Sequence, residues 1–379
     1  MQPMVIIGTG MAGYAVAREL RSNGYAGELV LISRDDGCSY AKPMLSGALA
    51  AGKDVAGLTL ATVEAMAAEL SARILPRCVV TALDLAGHAV VMGTQRQGYS
   101  RLVLALGSES VRLPLQGSGA EAVLSVNNLE DYGRFLQQVQ VARRVAIIGP
   151  GLIGCEFAND LVKSGREVTV IGPDRWPISA LLPEVAGQAL ARSLAAAGVK
   201  WHLGVVNGAI QRHDGGGLTT TLSDGTTVMA DVILSAVGVR ANVALARESG
   251  LAVNRGIITD NLLQTAAEDV YALGDCAEVA GRNLPFVMPL MVQARALGRT
   301  LTGTPTPVVY PLMPVAIKTT LHPVTVLPPP PGSAGEWRTE GGDAGVAGRF
   351  VDSQGHLSGF ALTGDQVGRK AALLKELGN

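Results

Sequence analysis

Twice in this chain a short aliphatic run feeds straight into a Gly-x-Gly-x-x-Gly turn and then into a stretch with helical apolar spacing. The first copy is Met4 to Gly13, MVIIGTGMAG, followed by AVARELRSNG. The second is Arg144 to Glu156, RVAIIGPGLIGCE, whose Gly149 stands 141 residues after Gly8. Each copy reads as strand, glycine turn, helix. The first glycine permits the tight turn, the second lets backbone approach a pyrophosphate, and the third lets helix and strand pack closely. Amide donors at the helix N-terminus then face the phosphates. Two such units in 379 residues imply two dinucleotide sites and a doubly wound α/β fold with parallel sheets.

Each unit departs from the usual rule for the ribose-binding acid at the end of its second strand. After Glu28 to Ile32 stand Ser33 and Arg34, and the carboxylates Asp35 and Asp36 come late. Ribose contact there is expected from Ser33 or backbone. After Glu167 to Ile171 stands Gly172, with Asp174 and Arg175 beyond it. A preference between NADH and NADPH stays open on this local chemistry.

Three further segments read as joints: RLVLALG over 101–107, DVILSAVGVRAN over 231–242, and the apolar run into Gly274-Asp275. Asp275, at a strand end and on a helix N-terminus, can accept a polyol hydroxyl, while Gly274 allows close approach to a pyrophosphate. Beyond residue 310 the composition shifts to VTVLPPPPGSAGEW and an alternating glycine-rich stretch. This predicts a small third domain with a proline-rich edge or loop and a C-terminal helix over 364–377.

Composition narrows the chemistry. Only 4% of residues are aromatic while 48% are hydrophobic, so the buried material is aliphatic, as parallel strands require. A formal charge of −1 supplies no net drive towards nucleic acid or anionic lipid. Cys38, Cys78, Cys155 and Cys276 lie at least 40 residues apart, so no Cys-x-x-Cys pair exists for metal or redox work. The five histidines show no ligand spacing, and no metal site is expected. Gly8, Gly10 and Gly13 interrupt the apolar run a signal sequence needs, and prolines 305, 307, 311 and 314 break the longest uncharged span. A cytoplasmic protein without membrane insertion is the expectation.

In this order of parts the chain resembles the glutathione-reductase-like superfamily of FAD-dependent pyridine-nucleotide oxidoreductases, and within it most closely the bacterial rubredoxin–NAD reductases. The closer likeness is carried by DDGCSYAKPMLS over 35–46, GPGLIGCEFAND over 149–160, GDCAE over 274–278 and VMPL over 287–290. The resemblance implies hydride taken from NADH, an electron pair held on FAD, and single electrons passed to rubredoxin, a small iron protein. Downstream it leaves open alkane hydroxylation or defence against oxygen and peroxide. It implies an FAD domain over 1–110 and 240–314, an inserted NADH domain over 111–239, and a small C-terminal α/β domain over 315–379.

Residue by residue, the resemblance implies that Gly8, Thr9, Gly10, Met11, Ala12 and Gly13 hold the FAD pyrophosphate, with Ser33 and Arg34 at the adenosine ribose. Lys42 and Pro43 would pass beside the isoalloxazine, Val80 would offer backbone to adenine, and Asp275 would bind the ribityl chain. Val287 and Lys318 would complete the flavin site, and Glu156 would stand near its nicotinamide side. Gly149, Gly151 and Gly154 would hold NADH. Lys42, Glu156 and Lys318 are the candidate catalytic residues: an ammonium at Lys42, paired with Glu156, would fix the ring environment, and Lys318 would place positive charge near the pyrimidine end.

The segment after the second strand offers only Cys38, which excludes an internal dithiol; a single-thiol peroxide or disulfide reductase would need a lowered thiol pKa there. Without a dithiol or metal site, the electron acceptor is expected to be a separate protein or a small diffusible molecule. The alternatives are a reductase for a [2Fe–2S] ferredoxin of an oxygenase, and a nucleotide-binding flavin-fold scaffold with little turnover.

Overall fold

The strand Met4–Ile7 is buried at all four positions and pairs in parallel with Leu29–Ile32 on one side and Arg101–Leu104 on the other. The structure, a computed structural model, describes residues 2–378. Val270–Ala272 and Arg73–Leu75 complete a five-stranded sheet in which every pairing is parallel. Near-continuous burial of Val, Leu and Ile along these strands is what a sheet covered on both faces demands. Each aliphatic side chain so buried contributes about 2 kcal/mol, which makes this sheet the anchor of its unit. The helix Met11–Ser22 starts directly after the first strand and turns Ala12, Val16 and Leu20 inward at helical spacing. The helix Val287–Leu301 packs against it within the same core.

By contact density the chain divides into two compact units. The first comprises Met1–Lys42, Ala56–Glu109 and Val239–Pro311 and holds the sheet just described, together with an antiparallel three-stranded sheet built from Ala82–Asp84, Ala89–Met92 and Gln95–Gly98.

The second comprises Pro43–Val55, Ser110–Gly238 and Leu312–Asn379. Its parallel sheet has the order Val199–Leu203, Glu167–Gly172, Arg144–Ile148, Val232–Ser235. The helix Leu152–Lys163 follows the strand Arg144–Ile148, with Gly151 at its N-cap. At its C-terminal end the unit carries an antiparallel sheet in the order Val315–Ile317, Val324–Leu327, Leu357–Thr363, Gly345–Asp352, Gly335–Gly342. Leu327, Ala347, Phe360, Leu362 and Leu373 form its core. The four prolines after Leu327 end a strand and form a loop, since they offer no N–H to a ladder.

Two expected elements differ. The helix over 364–377 is a 3-10 turn, Gly364–Arg369, followed by the shorter α-helix Lys370–Leu377, because the GDQVGR stretch puts two glycines where a helix would start. Asp275 is not on a long helix: it lies in the 3-10 turn Gly274–Cys276, which runs straight into the strand Ala277–Val279. The fold class is otherwise as expected: two doubly wound dinucleotide-binding folds and a small C-terminal α/β region, with parallel and antiparallel sheets mixed.

Candidate functional site

Steric demands at the two glycine turns are nearly superposable. At Gly8, φ is +113° and an added methyl would lie 2.2 Å from the Ala105 carbonyl oxygen; at Gly149, φ is +111° and it would lie 2.6 Å from that of Ala236. A methyl on Gly13 would meet the Gly8 carbonyl oxygen at 1.9 Å, and one on Gly154 the Gly149 oxygen at the same distance. The middle glycines differ from these: around a methyl on Gly10 or Gly151 nothing lies within 4 Å. So the first and third glycines are required by the protein's own backbone, whereas the second leaves open space ahead of a helix N-terminus. That open space is what a pyrophosphate needs, and both cradles fit a dinucleotide.

In the first unit, Thr9 donates to Ser33 at 2.6 Å, and Ser33 in turn donates to the Asp35 carboxylate. The Gly37 amide also donates to Asp35, at 3.1 Å. Thr9 and Ser33 are buried and Arg34 is exposed. The late carboxylate is therefore turned back onto the strand end, and Asp35 joins the site although its position in the sequence counted against it. Met11 and Ala12 open the first helix, and Ala12 packs beneath Gly274, where a methyl would come within 2.8 Å of its Cβ. The Gly274 amide donates at 2.7 Å to Gln293, a buried side chain with no signal in the sequence. Beside it, Lys42 Nζ lies 3.0 Å from Ser108 Oγ, Ser108 donates at 2.7 Å to Asp275, and Lys42 stands 3.8 Å from the same carboxylate. Val80 is half-buried, and Val287 occupies the partly exposed first position of its helix.

In the second unit the missing acid has a steric cause. A methyl on Gly172 would stand 2.1 Å from Pro150 Cδ, so the proline of the fingerprint occupies the space a side chain would need. Ser179 donates to Asp174 nearby, and Arg175 is exposed.

Glu156 lies in the second turn of Leu152–Lys163 and is 3% exposed, not a solvated first-turn residue. Lys318, which the sequence placed at the flavin but not against Glu156, pairs with it. The Lys318 ammonium donates to Oε2, and the Lys318 amide donates to Oε1 at 2.9 Å. Ser46 also donates to Oε2, at 2.6 Å. One turn on, Asp160 accepts from the amides of Leu49 and Ala50 at 2.9 and 3.0 Å, and burial pushes its carboxyl above the usual range. Asn159 accepts from the Leu321 amide at 3.0 Å. One face of this helix therefore clasps two chain segments remote from it in sequence, 46–50 and 318–321. Neither could be paired with it by spacing. Pro43 opens the stretch Pro43–Val55 that contains the first of these segments.

Cys38, Cys155 and Cys276 are not poised as thiolates. Burial, reinforced by Asp36, pushes the Cys38 thiol up; burial raises Cys155 strongly and Cys276 to about 12. Among the described residues no group of three or more His, Cys, Asp or Glu could hold a metal ion, and no helix is long and apolar enough to cross a membrane.

Residues 2–298 match the family described as pyridine nucleotide-disulphide oxidoreductase, and residues 307–377 match the rubredoxin binding C-terminal domain. The chain is 45% identical over 377 residues to a rubredoxin-NAD(+) reductase of Alcanivorax borkumensis, covering 100% of this chain and 99% of that one. It is 42% identical over 384 residues to a protein of the same description from Acinetobacter baylyi, covering 100% and 98%. The crystal structure of an NADH:rubredoxin oxidoreductase from Clostridium acetobutylicum, 18% identical, superposes with a TM-score of 0.83 over 99% of this chain and 94% of that one, a likeness of fold. With its doubled glycine cradles and a match across residues 2–298, the chain belongs to the pyridine nucleotide-disulphide oxidoreductase family.

Proposed function

We propose that this protein is a cytoplasmic NADH oxidoreductase that uses FAD to move electrons from NADH to rubredoxin. The observation that carries the choice of acceptor is the match of residues 307–377 to a rubredoxin-binding domain, in a chain whose full length aligns with rubredoxin reductases. FAD, when bound, supplies a store that takes two electrons as hydride and releases them one at a time.

The chain's own residues divide the work. The Gly8–Gly13 cradle would bind the FAD pyrophosphate, with Thr9, Ser33 and Asp35 forming a hydrogen-bonded wall at the end of the second strand. Lys42, Ser108 and Asp275 make a linked polar row in which Asp275 would accept from the ribityl chain, and Lys42 would place positive charge beside the ring. Val80, Pro43 and Val287 would supply backbone and apolar surface. The Gly149–Gly154 cradle would bind NADH, the nucleotide named for the relatives; Gly172 itself supplies neither an acid for a ribose hydroxyl nor a cation for an extra phosphate. The buried Glu156–Lys318 pair would bear on the flavin and hold its surroundings fixed while hydride arrives.

The three-stranded and C-terminal sheets add no dithiol to this path, and the raised Cys38 thiol speaks against single-thiol chemistry. The test is anaerobic acceptor screening of the purified holoenzyme with NADH. Rubredoxin should be reduced with the highest kcat/KM. Preference for a [2Fe–2S] ferredoxin would sink the assignment, and flavin bleaching by NADH too slow for turnover would favour a nucleotide-binding scaffold.

A further inference from the structure

Ser46 stands at the centre of a connected polar cluster in the second unit. It lies in the 3-10 turn Lys42–Gly47 and is 6% exposed. Its hydroxyl is 2.6 Å from Glu156 Oε2, 2.9 Å from Lys318 Nζ and 3.4 Å from the Pro43 carbonyl. A serine hydroxyl has one proton to donate and two lone pairs to accept with. Lys318 is a donor only, so the proton goes to an acceptor, and Glu156 is the nearer of the two by 0.8 Å. The hydroxyl thus donates to the carboxylate and accepts from the ammonium at the same time.

The ion pair needs such a third member. Lys318 reaches Glu156 through a long side chain that is 35% exposed, while the Glu156 side chain is 4% exposed. A flexible ammonium can swing towards water, whereas a carboxylate on a packed helix cannot follow it. The Lys318 amide holds one Glu156 oxygen, and Ser46 ties the other oxygen and the ammonium to a single atom.

We infer that Ser46 is a positioning residue that fixes the Glu156–Lys318 pair, and through it the electrostatic surroundings of the flavin, a role that rests on the placement of that pair proposed above. Removing the hydroxyl leaves Glu156 with one fewer charge-assisted hydrogen bond and frees the ammonium. The rate of hydride transfer falls and the flavin potential shifts, because the positive charge is no longer held in one place.

The experiment compares the holoenzyme with Ser46→Ala and Ser46→Thr, all purified with FAD. Three quantities are read: the midpoint potential by dye equilibration, the anaerobic rate of flavin bleaching by NADH in a stopped-flow instrument, and the FAD content with the melting temperature. Ser46→Ala is expected to keep its FAD, to melt only about 2–4 °C lower, to reduce about tenfold more slowly at saturating NADH, and to show a shifted potential. Ser46→Thr, which keeps the hydroxyl, is expected to recover most of both. Unchanged potential and bleaching rate in Ser46→Ala would overturn the inference, as would equal losses in Ser46→Ala and Ser46→Thr. No acceptor protein is present, so failure of the rubredoxin assignment leaves this test intact. A wild-type flavin that NADH does not bleach would instead sink the proposed function itself.

Discussion

Gly10→Ala and Gly13→Ala, three residues apart in one turn, should fail in opposite ways. Gly13 is inside the helix Met11–Ser22, and its added methyl would stand 1.9 Å from the Gly8 carbonyl oxygen, a backbone atom that cannot step aside alone. Forcing helix and strand apart costs about 3 kcal/mol, of which about 1 kcal/mol returns through alanine's better helix propensity. A net loss of about 2 kcal/mol lowers the melting temperature by about 4–8 °C for a unit of this size. Gly10 has φ −70° and ψ −173°, extended backbone open to any residue, with nothing within 4 Å of the new methyl. Alanine there loses about 0.5–1 kcal/mol as an N-cap and regains about as much by restricting the unfolded chain. The apoprotein should therefore melt within about 2 °C of wild type. The methyl does enter the space where the pyrophosphate must come, and the FAD dissociation constant should rise by at least about tenfold. Scanning fluorimetry of flavin-stripped protein and a flavin-fluorescence titration read the two effects separately. Equal melting temperatures for the two apo variants, or wild-type FAD affinity in Gly10→Ala, would refute the division of labour among the glycines.

The same logic in the second cradle predicts that Gly151→Ala keeps its FAD and raises KM for NADH by about tenfold; loss of FAD with unchanged KM would contradict it in steady-state assays. Asp231 accepts from the Arg144 guanidinium and from the amides of Arg143 and Arg144, and the guanidinium, chief among these, holds its carboxyl below the ordinary range. Because the folded state favours the ionised form, the stabilisation is present above the unfolded value near ~3.9 and is lost as pH falls through the lower folded value. Asp231→Asn should thus be less stable than wild type by about 1 kcal/mol at pH 7, a gap that urea titrations should see close as pH falls below the ordinary carboxylate range. Cys38→Ser should leave NADH-driven reduction of the acceptor unchanged, since the thiol is pushed up and not down; an inactive variant with full FAD would revive single-thiol chemistry.

What could be read in the sequence, and what could not, divides along the range of the interaction. The glycine cradles were legible because the spacing of the third glycine is set within one strand–turn–helix, Gly13 answering to Gly8 and Gly154 to Gly149, even though Gly8 and Gly149 also answer to the remote Ala105 and Ala236. The Glu156–Lys318–Ser46 cluster joins positions 110 and 162 residues apart, and no local pattern marks such partners, so Lys318 could not be named for Glu156 from spacing. Ser108 and Gln293 were invisible for the same reason: both are ordinary polar residues until Asp275 and the Gly274 amide are brought to them. Two apparent departures from the fingerprint have local causes that a template does not encode. Asp35 arrives late but folds back through Ser33 and the Gly37 amide, so the carboxylate is displaced by a turn, not absent. Gly172 carries no acid because Pro150 fills its Cβ position, which ties the chemistry at one strand end to a residue of the glycine turn beside it. A proline at 150 and a carboxylate at 172 exclude each other sterically. What stands at the end of that strand therefore follows from packing against the neighbouring turn as much as from any charge placed to meet a ribose.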